Sequence, residues 1–205
     1  MEAVFLGGSR RVSRLNESIR SKLDELIARD LWMFVGDANG ADRAIQQHLA
    51  NHGYEKVIVY AVSGRLRNNI GHWKVQSIHP PRGARGFDLY SAKDIQMAKD
   101  ASYGLMLWDG KSRGTLENVR NLLAQGKPVA VHFGPERRLV SLRSPADLLK
   151  LGVSPTVGVA CQHDFPFGEA SDAAQQAAAA AGRGLPQGET AKPSERRPRS
   201  ARGRS

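Results

Sequence analysis

Cysteine, long apolar runs and aromatic residues are all scarce in this sequence of 205 residues. The one cysteine, Cys161, excludes an internal disulfide framework and indicates a reducing compartment. No apolar run approaches the roughly 18 residues that span a bilayer, and the first residues lack the basic and apolar regions of a secretory signal. We therefore expect a cytoplasmic protein that does not enter a membrane.

Several common ligand signatures are also missing. The glycines near the N-terminus form neither the GxGxxG dinucleotide fingerprint nor a P-loop, because no glycine-lysine-threonine sequence follows them. His48 and His52 have i, i+4 spacing but no acidic or cysteine partners, and the stretch CQHDF offers too few ligands for zinc. The sequence therefore predicts no metal and no other cofactor.

The positive charge is the first feature that suggests a ligand. The formal net charge is +10. The segment after Gly168 holds seven basic and four acidic residues, so the first 168 residues carry +7. This excess suits an anionic small molecule, and nucleic acid would also satisfy it. A generally basic surface explains the charge equally well.

Residues 169–205 have a different composition from the rest of the chain. They contain one large aliphatic residue, Leu185, among many Ala, Gly, Pro, Ser and Arg residues. Such a segment cannot bury enough apolar surface to offset its ordering entropy. We expect a folded domain of residues 1–168 followed by a disordered Ala/Arg-rich tail, whose arginines make at most weak contact with nucleic acid.

Apolar runs alternate with helical patterns in the folded part. The predicted strands are AVFLGG, WMFVG, KVIVYAV, YGLMLWD and KPVAVHF. The predicted helices are SRLNESIRSKLDELIARD, GADRAIQQHLANHG, SAKDIQMAKDA and GTLENVRNLLAQG, with one more short helix at SPADLLKLG. Continuous apolar strands that alternate with helices predict an α/β protein with a single Rossmann-like, doubly wound parallel sheet of about five strands. Ligands of such folds bind beyond the carboxyl ends of the strands.

The stretch from Ser63 to Tyr90 is long and polar and shows no clear secondary-structure pattern. Its basic residues surround the sequence HPPRGARG. A loop of this length is usually functional or mobile, so we predict a basic lid over the strand ends, with a solvated loop as the alternative.

The loop after the first strand contains Gly7, Gly8, Ser9 and Arg10. Glycines let the backbone approach a ligand, and a hydroxyl with a guanidinium suits a phosphate at a helix N-terminus. The alternative is an ordinary turn in which Ser13 is the helix N-cap.

The loop after the second strand, GDANGAD, places Gly36 and Gly40 around a tight turn. Asp37 or Asn39 could cap the next helix, and Asp42 suits its first turn. A carboxylate here could instead bind a ribose hydroxyl. We favour this ligand role for Asp37 and weigh both roles equally for Asp42.

The loop after the fourth strand offers the largest set of ligand-binding candidates: Asp109, Gly110, Ser112, Arg113, Gly114 and Thr115. Free amides at a helix start attract anions, and Lys111 and Arg113 can neutralise charge. A capped helix, with Ser112 or Thr115 as N-cap and Glu117 in the first turn, explains the hydroxyl and the acid but not two glycines and two cations. The apolar pattern of this helix leaves Glu117 and Asn118 off its buried face.

These three loops together resemble the SLOG superfamily over about Ala3 to Phe133. That superfamily includes the Lonely Guy phosphoribohydrolases, a domain of DNA-processing protein A and small stand-alone domains, to which this chain is most similar. The resemblance implies a Rossmann-like domain that holds a ligand phosphate on Ser112, Arg113, Gly114 and Thr115. It also implies a pocket lined by Gly7, Gly8, Gly36 and Gly40.

The chain departs from the phosphoribohydrolase motif PGGxGTxxE. The position of the motif's glutamate is held by Asn118, whose amide does not titrate, and Glu117 comes one residue earlier. One residue on a helix is a rotation of roughly 100°, which redirects a side chain. The resemblance therefore implies a retained phosphate site, with Glu117 and Asp37 as the candidates for a catalytic carboxylate.

Three functions follow from the sequence. The first is binding or sensing of a nucleotide or nucleotide-sugar ligand, such as an ADP-ribose-like molecule. The second is hydrolysis or transfer at an N-glycosidic bond, which needs a carboxylate such as Glu117, Asp109 or Asp37 near the oxocarbenium-like transition state. The third is association with DNA, for which the stacking aromatics near the basic loop are only Trp73 and Phe87. A homodimer is expected by analogy alone.

Overall fold

The computed structural model describes residues 2–155. The predicted domain end at residue 168, the tail of residues 169–205 and Cys161 lie outside this range. The strands are Ala3–Gly8 (β1), Trp32–Gly36 (β2), Val57–Val62 (β3), Lys74–Ile78 (β4), Tyr103–Trp108 (β5), Val129–Phe133 (β6) and Arg138–Leu142 (β7). The α-helices are Glu17–Ala28 (α1), Ala41–Asn51 (α2), Gly86–Asp100 (α3) and Arg113–Ala124 (α4). Short 3-10 helices follow at Gly134–Glu136 and Pro145–Leu151.

All seven strands form one sheet in the order β4-β3-β2-β1-β5-β6-β7. The pairs from β4 to β6 are parallel, and β7 runs antiparallel to β6. The chain builds outward from β1 to β4 and then returns to add β5 on the other side of β1. The strand order therefore reverses between β1 and β5, which is where a doubly wound fold opens a crevice for ligands.

The two faces of the sheet bury separate apolar clusters. Along β1, Val4 and Leu6 belong to the cluster covered by α1 and α2, whereas Ala3 and Phe5 belong to the cluster that includes residues of α3 and α4. Successive side chains of a strand point to opposite faces, so burial on both sides produces the continuous apolar runs seen in the sequence. The doubly wound, mostly parallel α/β sheet is confirmed.

The predicted number of about five strands is wrong, because the sheet has seven. β4 lies within the stretch expected to be a loop, and every residue of this edge strand is exposed or half-buried. β7 follows the last predicted strand and is antiparallel. An edge strand packs fewer apolar side chains than a central one, so neither segment has the apolar run by which buried parallel strands are found.

The helix starts also differ from the expected ones. α3 begins at Gly86 rather than at Ser91, and its N-cap residue, Arg85, makes no capping hydrogen bond with its side chain, so the sequence carries no capping signal there. α1 begins at Glu17, where the side chain of Asn16 accepts a hydrogen bond from the Ile19 amide at 2.9 Å. Asn16, and not Ser13, is therefore its N-cap.

Among the described residues, no helix combines the length and apolar character needed to cross a membrane.

Candidate functional site

A cavity of about 610 Å3 lies at the carboxyl ends of β1 and β5, where the strand order reverses. We call it the switch-point cavity. The predicted site residues that line it are Gly7, Gly8, Ser9, Arg10, Asp42, Asp109, Ser112, Gly114 and Thr115. Folding therefore brings parts of all three predicted loops to one cavity. Its lining is basic, with Arg10, Arg11, Arg67, Lys93 and Lys111 against three aspartates.

Asp109 joins the loops after β1 and β5. Its carboxylate accepts hydrogen bonds from the Ser9 hydroxyl at 2.9 Å and from the amides of Ser112 at 2.7 Å and Lys111 at 3.1 Å. Burial favours the neutral acid, but these hydrogen bonds outweigh it and lower the pKa of Asp109. The charged Asp109 carboxylate therefore holds the loop after β1 and the loop after β5 together by hydrogen bonds.

The start of α4 forms one wall of the cavity. Ser112 is the N-cap, and its hydroxyl accepts from the hydroxyl of Thr115 at 2.9 Å. The indole of Trp108 donates to the Ser112 carbonyl at 3.0 Å. Of the two residues predicted as the N-cap of α4, Ser112 is therefore the cap and Thr115 is not. The space beside Gly114 is open, because the nearest atom to an added Cβ there is 3.8 Å away, on Phe87.

Two glycines allow backbones to meet beneath the cavity. A Cβ on Gly8 would lie 2.5 Å from the Leu107 carbonyl oxygen of the neighbouring strand. Gly40 has φ of 84°, and a Cβ there would lie 2.3 Å from the Arg10 carbonyl oxygen. The adjacent Ala41 amide donates to the Ser9 carbonyl at 3.1 Å. Gly40 therefore ties the loop after β2 to the loop after β1 and lies outside the cavity lining.

Asp37 pairs with an arginine instead of capping α2. Only 1% of Asp37 is exposed, and its two carboxylate oxygens accept from the Arg67 side chain at 2.7 and 3.0 Å. The Arg67 amide adds a third bond at 3.1 Å, whereas the N-cap of α2 is Gly40. Asp37 itself does not line the cavity, but it orients Arg67, which does. The guanidinium of Arg67 lies over the ring of Tyr90 at 4.8 Å.

Asp42, Lys93 and Asp94 form a buried charged group in the cavity wall. Lys93 is 3% exposed and binds Asp94 at 2.6 Å, and Asp42 accepts from the Ala38 amide at 3.1 Å. A Cβ on Gly36 would lie within 3 Å of both the Asp42 carboxylate and the Lys93 ammonium, so this glycine makes room for them. Burial opposes the charge of Lys93, but Asp94 and Asp42 outweigh it and raise its pKa.

Burial raises the pKa of Asp42 from 3.8 to about 6, even though Lys93 acts to lower it. The native protein keeps this proton at pH values where the unfolded chain has lost it, so this group's contribution to stability falls as pH rises from about 4 to about 6. We expect Asp42→Asn to remove this fall, which is on the order of 3 kcal/mol for a shift of this size. Urea unfolding of both proteins between pH 4 and pH 7 measures it. A difference in unfolding free energy that is independent of pH would contradict it.

The sequence prediction missed one face of α3. Tyr90, Lys93, Asp94 and Met97 line the cavity at positions i, i+3, i+4 and i+7, the spacing of a single helical face. The helical spacing of these four residues can be read from the sequence. Because two of them are charged, however, they do not form the apolar pattern by which a buried helix face is recognised. Phe87 lines the cavity from the first turn of the same helix. The end of the stretch expected to act as a lid therefore forms the first turn of this helix, and Phe87 and Tyr90 from it line the cavity.

Glu117 does not line the switch-point cavity. Its carboxylate binds Arg120 at 3.0 Å, and it borders a smaller cavity of about 210 Å3 together with Arg113. Asn118 is 9% exposed and lines both cavities, so the expectation that it lies off the buried face of α4 is wrong. A buried polar residue beside an apolar stripe is not marked by hydrophobic periodicity.

The other predicted residues have local roles. Gly110 has φ of 77°, and a Cβ there would lie 2.9 Å from the Pro135 side chain, so it shapes the turn after β5. Arg113 lies over the ring of Phe87 at 4.8 Å. Trp73 donates its indole hydrogen to the Tyr54 carbonyl at 2.8 Å and packs on the core, whereas Phe87 is 44% exposed. Of the two predicted aromatics, only Phe87 lines the cavity.

The fold and the cavity define a doubly wound α/β protein with a basic, ligand-sized cavity at its switch point. Comparison of the chain with protein-family models, with curated proteins and with solved structures finds no match.

Proposed function

We propose that this protein binds or senses a nucleotide or nucleotide-sugar-derived ligand in the switch-point cavity. One observation carries the proposal. The N-terminus of α4 and several basic side chains line the same cavity, at the point where the strand order reverses. Gly114 leaves the first turn of α4 uncovered, and Arg10, Arg11 and Lys111 stand around the same cavity. The Ser112 amide already binds Asp109 and the Thr115 amide binds the Ser112 hydroxyl, so the remaining amides of the first turn, the helix dipole and these cations together favour a phosphate group.

The cavity's size and opposite wall support a ligand larger than a phosphate ion. Its volume of about 610 Å3 falls within the range of roughly 300–1,000 Å3 found for small-molecule sites. Phe87 and Tyr90 give α3 two aromatic rings in the cavity wall, next to the guanidinium groups of Arg113 and Arg67, so a base or sugar can contact ring and cation together. The two rings complement the base or sugar of a nucleotide, and the N-terminus of α4 complements its phosphate.

Binding is favoured over cleavage because the carboxylates of the cavity already have partners. Asp109 accepts from Ser9 and two amides, Asp94 binds Lys93, and Asp42 accepts from the Ala38 amide. Glu117 borders the smaller cavity instead. An oxocarbenium-like transition state needs a carboxylate directed at the sugar, and the switch-point cavity's acids serve other contacts.

The test is a thermal-shift panel on the full chain with nucleoside monophosphates, ADP-ribose, NAD, inorganic phosphate and short DNA. At about 100 times its dissociation constant, a ligand should raise Tm by roughly 5–10 °C. We expect Arg10→Ala to weaken binding of the best nucleotide at least tenfold, because Arg10 lines the cavity. Arg14→Ala is the matched control, since Arg14 is exposed and does not line it.

The remaining outcomes separate the alternatives. Chromatography of the incubated nucleotide should recover it intact, and release of free base that is lost in Glu117→Ala would favour the hydrolase. A shift with DNA alone, weakening steeply with salt, would favour the nucleic-acid protein. No shift with any compound would overturn the proposal.

A further inference from the structure

A second cluster of ligand-type side chains lies between α1 and α2. Asp24 projects from α1, His48 lies in the last turn of α2, and His52 follows directly as its C-cap residue. One ligand atom from each residue lies within 4.8 Å of those of the other two. The sequence separates Asp24 from the histidines, so the acidic partner that the i, i+4 pair lacks in sequence is supplied by folding.

Packing of the two helices fixes this cluster. Ile19, Leu23 and Leu26 of α1 and Ile45 and Leu49 of α2 are buried in one apolar cluster. Asp24 follows Leu23, and His48 precedes Leu49, so both polar residues border the buried contact. The side chain of His48 is only 10% exposed, and those of Asp24 and His52 are about half exposed. The site is therefore anchored on its inner side and open to solvent on its outer side.

The distances suit a small cation. His48 Nε2 lies 2.7 Å from Asp24 Oδ1, and His52 Nε2 lies 3.4 Å from the same oxygen. Ligand atoms that bind one zinc ion tetrahedrally at about 2.0–2.1 Å are roughly 3.3 Å apart. Small side-chain rotations thus bring all three atoms to zinc-binding distance.

The hydrogen bond of the second imidazole nitrogen fixes the orientation of His52. His52 Nδ1 lies 2.9 Å from the His48 carbonyl oxygen, which can only accept, so Nδ1 carries the hydrogen. In the neutral imidazole, Nε2 then presents a lone pair to a carboxylate oxygen 3.4 Å away. A zinc ion placed between these two atoms would be attracted to both. A backbone carbonyl that holds the far nitrogen is also the usual second-shell arrangement of a zinc-binding histidine.

We propose that Asp24, His48 and His52 form a zinc-binding site with one ion per chain. Two imidazoles and one carboxylate are a ligand set typical of zinc, and the solvent-facing side leaves the fourth position to water. The site lies near the C-terminal end of α2, roughly 9 Å along the helix axis from Asp42 in the switch-point cavity. It is therefore a separate site, which would join α1 and α2 at their surface.

The test is calorimetric titration of the full, tag-free chain with Zn2+, on a Cys161→Ser, His163→Gln background that removes the thiol and the histidine of the stretch CQHDF. We expect one equivalent to bind. Asp24→Asn and His52→Gln should each raise the dissociation constant at least tenfold, and both replace exposed side chains, so the fold should persist. His79→Gln is the matched control and should bind as the background does. Co2+ added in place of Zn2+ should give the visible absorption of a tetrahedral site.

Two outcomes would overturn the proposal. If the background protein takes up no zinc, Asp24, His48 and His52 form only a hydrogen-bonded side-chain cluster. If Asp24→Asn and His52→Gln bind zinc as tightly as the background, the ion is held elsewhere.

Discussion

Gly40→Ala should destabilise the protein by about 3 kcal/mol and lower Tm by roughly 6–12 °C. Two effects add at this position. The backbone has φ of 84° and ψ of −126°, a region that residues with a Cβ rarely enter. An added Cβ would also lie 2.3–2.5 Å from backbone atoms of Arg10, which cannot rotate away as a side chain would. Thermal unfolding of the purified variant measures the loss.

Gly53→Ala is the control that separates strain from crowding. Gly53 has φ of 60°, but no atom lies within 4 Å of an added Cβ. We expect a loss of only about 1 kcal/mol there, from the left-handed backbone alone. Equal losses in the two variants would mean that the close approach of Gly40 to the loop after β1 contributes nothing.

Removal of the Asp37 carboxylate should have a comparable effect. Asp37 is 1% exposed and accepts three hydrogen bonds from Arg67, two from its guanidinium and one from its amide. Breaking a buried pair by removing one partner usually costs several kcal/mol, because the other partner keeps its desolvation penalty. The Arg67 side chain is 30% exposed and can recover some hydration. We therefore expect Asp37→Ala to lower the unfolding free energy by about 3 kcal/mol in urea titration.

The matched control is Glu25→Ala, which removes the acid of an exposed pair. Glu25 binds Lys22 at 2.7 Å, but 47% of its side chain is exposed. Such surface pairs contribute roughly 0–1 kcal/mol. If Asp37→Ala costs no more than Glu25→Ala, the buried pair does not stabilise the fold, and the position of Arg67 over Tyr90 must be set by other contacts.

The central strands and the loops at their ends could be predicted from the sequence. A parallel strand buried on both faces leaves a continuous apolar run such as YGLMLW, and the topology then specifies which loops meet. Placing Ser9, Asp42 and Ser112 together at the strand ends required only this reasoning, and all three line one cavity.

The contribution of α3 and the partner of Asp37 could not be predicted in the same way. Lys93 is buried although lysine is almost never fully buried without a partner, and of the two acids that stabilise its charge only Asp94 is a neighbour in sequence, whereas Asp42 is distant. Arg67 was one of several basic residues in a polar stretch, and only the tertiary structure shows which of them reaches Asp37. Long-range pairing of charges leaves no periodic signal in a sequence.

The hydrogen bond between Ser9 and Asp109, together with the contact of Gly40 with Arg10, has a kinetic consequence. The loops after β1, β2 and β5 contact one another in the folded protein. Their conformational entropy is therefore lost during folding and not when a ligand binds. A ligand at the switch-point cavity would meet a rigid surface on the strand side. Its association rate would then be governed by diffusion and by attraction to the basic lining, and would decrease as salt increases.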